Sequence, residues 1–161
     1  MKTAIIYASK HGTTEIVALS IAEKLSGEPF SLKKNQNPDI SGFDMVILGS
    51  SIYMGQASGK MKAFCKTNEP VLLQKKIGLF VCGMHPEKEQ REKELNDAYP
   101  AVLHEKAVAI GFLGGEFLFE KMNFIERLII KKIAKTTEST HQIDRDAVDV
   151  FIAELLQEIS K

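Results

Sequence analysis

Cysteine is scarce in this sequence, an excess of either charge is absent, and no apolar run is long. The two cysteines of the 161-residue chain, Cys65 and Cys82, are too few and too far apart for a disulfide scaffold or a zinc site, so free thiols in a reducing compartment are expected. The 21 basic and 21 acidic residues cancel, so no global field draws the chain to nucleic acid, and no nucleic-acid partner is expected. No apolar stretch approaches the ~20 residues needed to cross a bilayer. The amino-terminal Met1-Lys2-Thr3-Ala4-Ile5-Ile6-Tyr7 is apolar for only a few residues and lacks a small-residue cleavage site, which argues against a signal peptide. A cytoplasmic location is the expectation.

What is present suits a folded domain. Apolar residues make up 44% of the chain and charged residues 26%, too hydrophobic for a disordered segment. The length fits one core, with no linker, repeat or low-complexity tract, so residues 1–161 are expected to form a single domain.

Short apolar runs alternate with helical periodicity. Thr3–Ala8 reads as a buried strand ended by a polar, glycine-containing turn. From Thr13 onward Ile16, Val17, Leu19, Ile21, Ala22 and Leu25 recur at helical spacing and stop at Gly27. Pro29–Leu32 is a weaker strand, residues 35–42 a loop, and Phe43–Leu48 a strand running into Gly49-Ser50-Ser51. Gly59–Lys66 fits a short helix bearing Met61, Ala63 and Phe64, and Ile77–Val81 a strand before Cys82-Gly83. Glu87–Leu103 is a helix with Leu95, Ala98, Tyr99, Val102 and Leu103 on its apolar side, broken or kinked at Pro100. Ala107–Phe112 is a fifth strand, and Asp146–Ile159 a last amphipathic helix with Val150, Ile152, Ala153, Leu155, Leu156 and Ile159 inward. Such alternation specifies an α/β fold, a parallel sheet with helices on both faces.

Ligands of such sheets sit outside the carboxyl ends of the strands. The loop after the first strand, Ser9-Lys10-His11-Gly12-Thr13-Thr14, supplies hydroxyls, backbone N–H groups, a glycine for close approach and a following helix amino terminus. That set suits a phosphate. It lacks both the Gly-Lys-Ser/Thr ending of a triphosphatase loop and the three-glycine dinucleotide fingerprint, so a lone monophosphate fits better. The same residues also make an ordinary helix cap, Tyr53 also reads as a surface aromatic, His11 as a solvated loop residue, and Cys82 as a small buried hydrophobe.

On these residues the chain resembles the flavodoxin family, whose first loop has the form Ser/Thr-x-x-Gly-x-Thr directly after an amino-terminal strand. The resemblance, not the strand pattern, supplies the strand order 2-1-3-4-5 of a flavodoxin-like three-layer sandwich, and it implies FMN at the point where that order reverses. Ser50-Ser51-Ile52-Tyr53-Met54-Gly55 corresponds to that family's second flavin loop and Cys82-Gly83-Met84-His85 to its third. By the same resemblance Tyr53 would stack on the isoalloxazine, Gly55 would let a peptide turn over near it, and the Cys82-Gly83 turn would offer N–H groups to the pyrimidine edge. Two features depart from electron-carrying flavodoxins: the chain is not acidic, and only Tyr53 is an aromatic in the flavin-flanking loops.

The whole chain is also similar to the flavodoxin-type, menaquinone-dependent protoporphyrinogen oxidase family, through Gly49–Gly55, Lys60–Phe64 and Glu126–Lys135. That resemblance implies electron passage from protoporphyrinogen IX or a similar donor to a quinone. A soluble electron carrier with a redox partner protein, and a flavin-free binding module, remain the other readings. Residues 114–133 read as a helical candidate with Lys121, Arg127, Lys131, Lys132 and Lys135 near its later half. Residues 117–135 would either cover the sheet or make peripheral contact with a membrane.

Overall fold

Six consecutive small or apolar residues, Thr3–Ala8, form β1, an interior strand of the sheet buried along its whole length. The computed structural model describes residues 1–83, 85, 87–117 and 140–161. The elements that follow are α1 (Thr13–Leu25), β2 (Glu28–Ser31), β3 (Met45–Tyr53), β4 (Gln56–Ala57), α2 (Gly59–Leu72), β5 (Lys76–Cys82), α3 (Lys88–Ala98) and α4 (Ala101–Lys106). Then come β6 (Ala107–Phe112), β7 (Gly114–Phe117), β8 (Thr140–Ile143) and α5 (Arg145–Ile159). Strands β2-β1-β3-β5-β6 lie side by side in that order, all parallel, which is the expected 2-1-3-4-5 order once the two-residue β4 is set aside. All five strands therefore end at one edge, where their following loops gather.

The period-two alternation of the strands divides the core. Ala4, Ile6, Ala8, Val46, Leu48, Leu79 and Val81 pack toward α2, α3 and α4 with Met61, Phe64 and Leu103. Ile5, Tyr7, Met45, Ile47, Phe80 and Cys82 pack toward α1 and α5 with Ile21, Phe151 and Leu155. Phe80 and Phe151 meet edge to face, centroids 5.8 Å apart, an arrangement worth about 1 kcal/mol beyond area burial.

Several expected boundaries and faces are corrected by this packing. Strand β3 does not end at Leu48: Gly49, Ser50 and Ser51 continue it by pairing with β5, because their short side chains leave room in the crowded middle of the sheet. Strand β2 is Glu28–Ser31 rather than Pro29–Leu32, although the Leu32 N–H still donates to the Tyr7 carbonyl. Ser26, not Gly27, takes the left-handed conformation that ends α1. On α1, Ile16 and Leu19 are exposed while Val17, Ala18, Ile21 and Ala22 form the stripe against the sheet. On α5 the buried set is Val148, Phe151, Ile152 and Leu155, at i, i+3, i+4, i+7, so Val150, Ala153 and Leu156 face outward. Helix α2 passes Lys66 to bury Leu72, and turns Ala63 outward.

Pro100 divides the expected Glu87–Leu103 helix in two. Tyr99 is extended (φ −131°, ψ 153°), as steric clash with a following proline favours, and Val102 is left exposed. The break turns the buried Tyr99 hydroxyl toward the carbonyls of Leu48 (3.0 Å) and Phe80 (2.7 Å), clamping β3 and β5.

The expectation of a helix from residue 114 is corrected at its start. Gly114–Phe117 is strand β7, paired antiparallel with β8, because Gly114 turns at φ 81° and its carbonyl accepts the Gly83 N–H (2.9 Å). The rest of the 117–135 helix, with its membrane contact, lies outside the described residues, as does Met84. Among the described residues no helix is long and apolar enough to cross a membrane.

Candidate functional site

The loop after β1 is held by its own short residues. Gly12 donates its N–H to Ser9 Oγ (3.0 Å), and Gly12 itself stands at φ 98°, ψ −13°, a conformation that a Cβ would strain. Gly12 also occupies the N-cap of α1 and so brings no side-chain acceptor for the helix's first N–H groups. By contrast α2 is capped by Ser58 Oγ, which accepts from Lys60 N (3.3 Å), and α5 by Asp144 Oδ1, which accepts from Ala147 N (2.9 Å). A helix amino end without a side-chain cap, with the helix dipole behind it, attracts an anion.

Thr13 and Thr14 open the helix and are buried. The Thr14 hydroxyl has no hydrogen-bond partner at standard geometry, an omission that costs roughly 1–3 kcal/mol for a buried group and that an incoming acceptor would relieve. Close by, burial pushes the Cys82 thiol up to about 12, with the Thr14 hydroxyl acting in the opposite direction, so Cys82 is an inert thiol.

The second loop begins inside β3. Ser50 is fully buried: its hydroxyl accepts from Ser58 N (3.0 Å) and donates to the Ser51 carbonyl (3.1 Å), which ties the end of β3 to the start of α2. Ser50 therefore braces the loop from beneath. Ser51, Ile52 and Tyr53 are half-buried, and Met54-Gly55 joins β3 to β4 as a two-residue hairpin with both residues at positive φ (51° and 76°). That twist suits a tight hairpin, although Met is a poor residue for it.

The first two loops touch. Lys10 Nζ stands 3.4 Å from the centroid of the Tyr53 ring, and the His11 ring meets Tyr53 edge-on at 6.3 Å. A cavity of about 670 Å³ opens beside them, lined by Ser9 and Lys10 of the first loop, by Ser51 and Tyr53 of the second, and by Lys33, Gln56, Ser58 and Lys60.

The third loop stands apart. Cys82, Gly83 and His85 are absent from the lining of that cavity. Gly83 instead approaches Ile52, so closely that a Cβ on it would lie 3.1 Å from the Ile52 Cβ. His85 is held against the start of α3: its Nδ1 accepts from Glu87 N (3.1 Å) and its carbonyl from Arg91 Nη1 (3.0 Å). Behind it Glu94 is buried with Oε2 lacking a partner, and burial raises its carboxyl above the ordinary range against the pull of Gln90, His85, Arg91 and Lys93.

Lys33, Gln56, Ser58 and Lys60 were not among the residues that sequence reasoning singled out. The signal for Lys33 was available: in a parallel sheet the loop after β2 opens on the same edge as those after β1, β3 and β5. Ser58 and Lys60 follow from the short hairpin, which returns the chain to the rim before α2 begins.

Residues 4–144 match the model of a family described as Flavodoxin domain. An uncharacterized protein of Methanocaldococcus jannaschii is 30% identical over 98 residues, which cover 58% of this chain and 65% of that relative's length. Among solved structures, the Fusobacterium nucleatum flavodoxin bound to flavin mononucleotide superimposes with a TM-score of 0.59 at 17% identity, over 98% of this chain and 99% of that one. Oxidised Flavodoxin 1 of Bacillus cereus gives 0.57 at 18% identity, over 98% of both chains. A short-chain flavodoxin associated with a bacterial microcompartment gives 0.61 at 14% identity, over 98% and 99%. These likenesses establish the shared fold.

Proposed function

Since the chain belongs to the Flavodoxin domain family, we propose that it is an FMN-binding redox protein. The observation that carries this reading is the amino end of α1 inside the Ser9–Thr14 turn, which has no side-chain cap and lies at the edge where all five strands end. Thr14 Oγ1, the Thr13 and Thr14 N–H groups and Lys10 would hold the phosphate. Tyr53 would present its face to the ring system once the Lys10 ammonium moves from that face to the phosphate, and Gly83 would let the third loop close on the ring's polar edge. His11, Gly55, Met84 and His85 complete the proposed set of contacts. When bound, FMN supplies the redox chemistry, and the protein's part is to bind it, orient it and set its environment.

The finer proposal is an oxidoreductase that passes electrons from protoporphyrinogen IX or a similar donor to a quinone. Two observations favour it over a protein-to-protein carrier: the concave cavity beside Tyr53 is of small-molecule size, and the chain carries no net negative charge to draw it to a basic redox partner. Its test is an absorbance spectrum of the protein with FMN, followed by reoxidation of the reduced form by menadione with and without protoporphyrinogen IX. Stoichiometric flavin bands with donor-dependent turnover support the oxidoreductase. Bound FMN without that turnover leaves the carrier, and a protein that binds no flavin refutes both.

A further inference from the structure

The cavity beside Tyr53 is lined by more than the flavin loops. Besides residues of the first two loops it is lined by residues outside all three: Lys33, two residues after β2, Ser58, and Lys60 in the first turn of α2. Lys10 of the first loop makes a third lysine, and among the described residues none that line the cavity is acidic. In a chain whose 21 basic and 21 acidic residues cancel, three lysines around one concavity without a carboxylate is a local arrangement, not a reflection of net charge.

We propose that Lys33 and Lys60 receive the anionic group of a small organic redox reactant, a carboxylate or sulfonate borne on a planar ring that then lies toward Tyr53. Three features fix the class. The volume of about 670 Å³ falls within the range of small-molecule sites and is too confined for a folded partner. The three lysines come from separate parts of the fold, the first loop, the segment after β2 and α2, and so surround the cavity instead of lining one helix face. The half-buried Tyr53 and buried Ala57 give the adjoining wall an apolar surface for a ring. The redox half of the proposal rests on the FMN reading, whereas the anion-binding half does not.

The test compares two oxidants with one ring, 1,4-naphthoquinone and 1,4-naphthoquinone-2-sulfonate, against reduced holoprotein. Two electrons and two protons leave the reduced cofactor and reach the two quinone oxygens, and the sulfonate is a bystander. The ratio of the two rate constants, taken for each variant, removes their difference in driving force. Lys33→Glu and Lys60→Glu are each expected to lower the sulfonate rate about five- to tenfold relative to the neutral quinone. Lys106→Glu makes the same charge change at the opposite edge of the sheet, before β6, and should leave the ratio within about twofold. An unchanged ratio in the first two variants, or an equal change in all three, overturns the proposal. So does a tenfold loss of FMN affinity in Lys33→Glu and Lys60→Glu, which would assign those two lysines to the flavin itself. Calorimetric titration of the apoprotein with the sulfonate decides the anion-binding half even for a protein that takes up no flavin. Heat of binding that disappears in Lys33→Glu/Lys60→Glu supports it, and no heat in the parent protein refutes it.

Discussion

The floor of the sheet and its carboxyl-end rim are made from the same strands and behave as opposites. Along β1 and the first half of β3 the side chains are fully buried and matched in volume, with Gly49 leaving the space that the Phe80 ring fills. A few residues further on, the same strands open into a helix without a side-chain cap, an unpartnered threonine hydroxyl, three residues at positive φ and a cluster of lysines. The floor is complete without a ligand, while the rim carries unmet polar requirements that a ligand would meet. Stability and binding are therefore separable by position, and substitutions in the two regions should report on different quantities.

The largest effect is expected in the floor. A Cβ at Gly49 would lie 2.0 Å from the Phe80 Cζ, in a ring with no room to move, so Gly49→Ala should destabilise by about 3 kcal/mol in urea unfolding. At the junction, Gly12→Ala forces a side chain into φ 98° and should cost about 1–2 kcal/mol of stability, with a loss of FMN affinity that Gly49→Ala does not show once folded. Within the rim, Tyr53→Ala should weaken FMN about tenfold, roughly 1.4 kcal/mol, with an unchanged midpoint of unfolding, and Tyr53→Phe should retain the affinity. Met54→Gly removes a side chain from φ 51° and should raise stability by up to about 1 kcal/mol, measured by the same unfolding curves.

Glu94 sharpens the comparison through pH. Its folded-state carboxyl titrates above the ordinary value because burial disfavours the charged form, so the folded state holds the proton more tightly than the unfolded. Its contribution is intact below the unfolded value near 4.5 and is lost as pH rises through the raised one. Glu94→Gln should therefore gain stability relative to the parent at neutral pH, a difference that shrinks toward pH 4 in thermal melts. A difference that grows on acidification would contradict this sign.

The alternation of strands and helices and the first loop were legible because they depend on local signals: short apolar runs, helical periodicity, and hydroxyls and glycine placed between them. The outward faces of α1 and α5 were not. Ile16, Leu19, Val150 and Leu156 satisfy a helical spacing, and only packing against Ile47 and Phe80 selects the stripe containing Val17 and Phe151 instead. Ser50 read as a flavin-loop residue, yet its hydroxyl is spent on Ser58 N, a contact eight residues away that depends on the Met54-Gly55 hairpin. The separation of the third loop from the cavity was likewise hidden, since it follows from the pairing of Gly83 with Gly114, 31 residues apart in sequence. Resemblance supplied the flavin and the strand order, but it gave neither Lys33 nor Lys60 a place at the site.

The most direct test of the rim as a phosphate cradle is a fluorescence titration of the apoprotein with FMN and, separately, with riboflavin, which shares the ring and lacks the phosphate. Loops that answer the helix end and the Thr14 hydroxyl with a phosphate should bind FMN at least about tenfold more tightly than riboflavin, and Gly12→Ala should narrow that gap. Equal affinity for the two flavins, or binding of neither, would contradict the assignment of the Ser9–Thr14 loop.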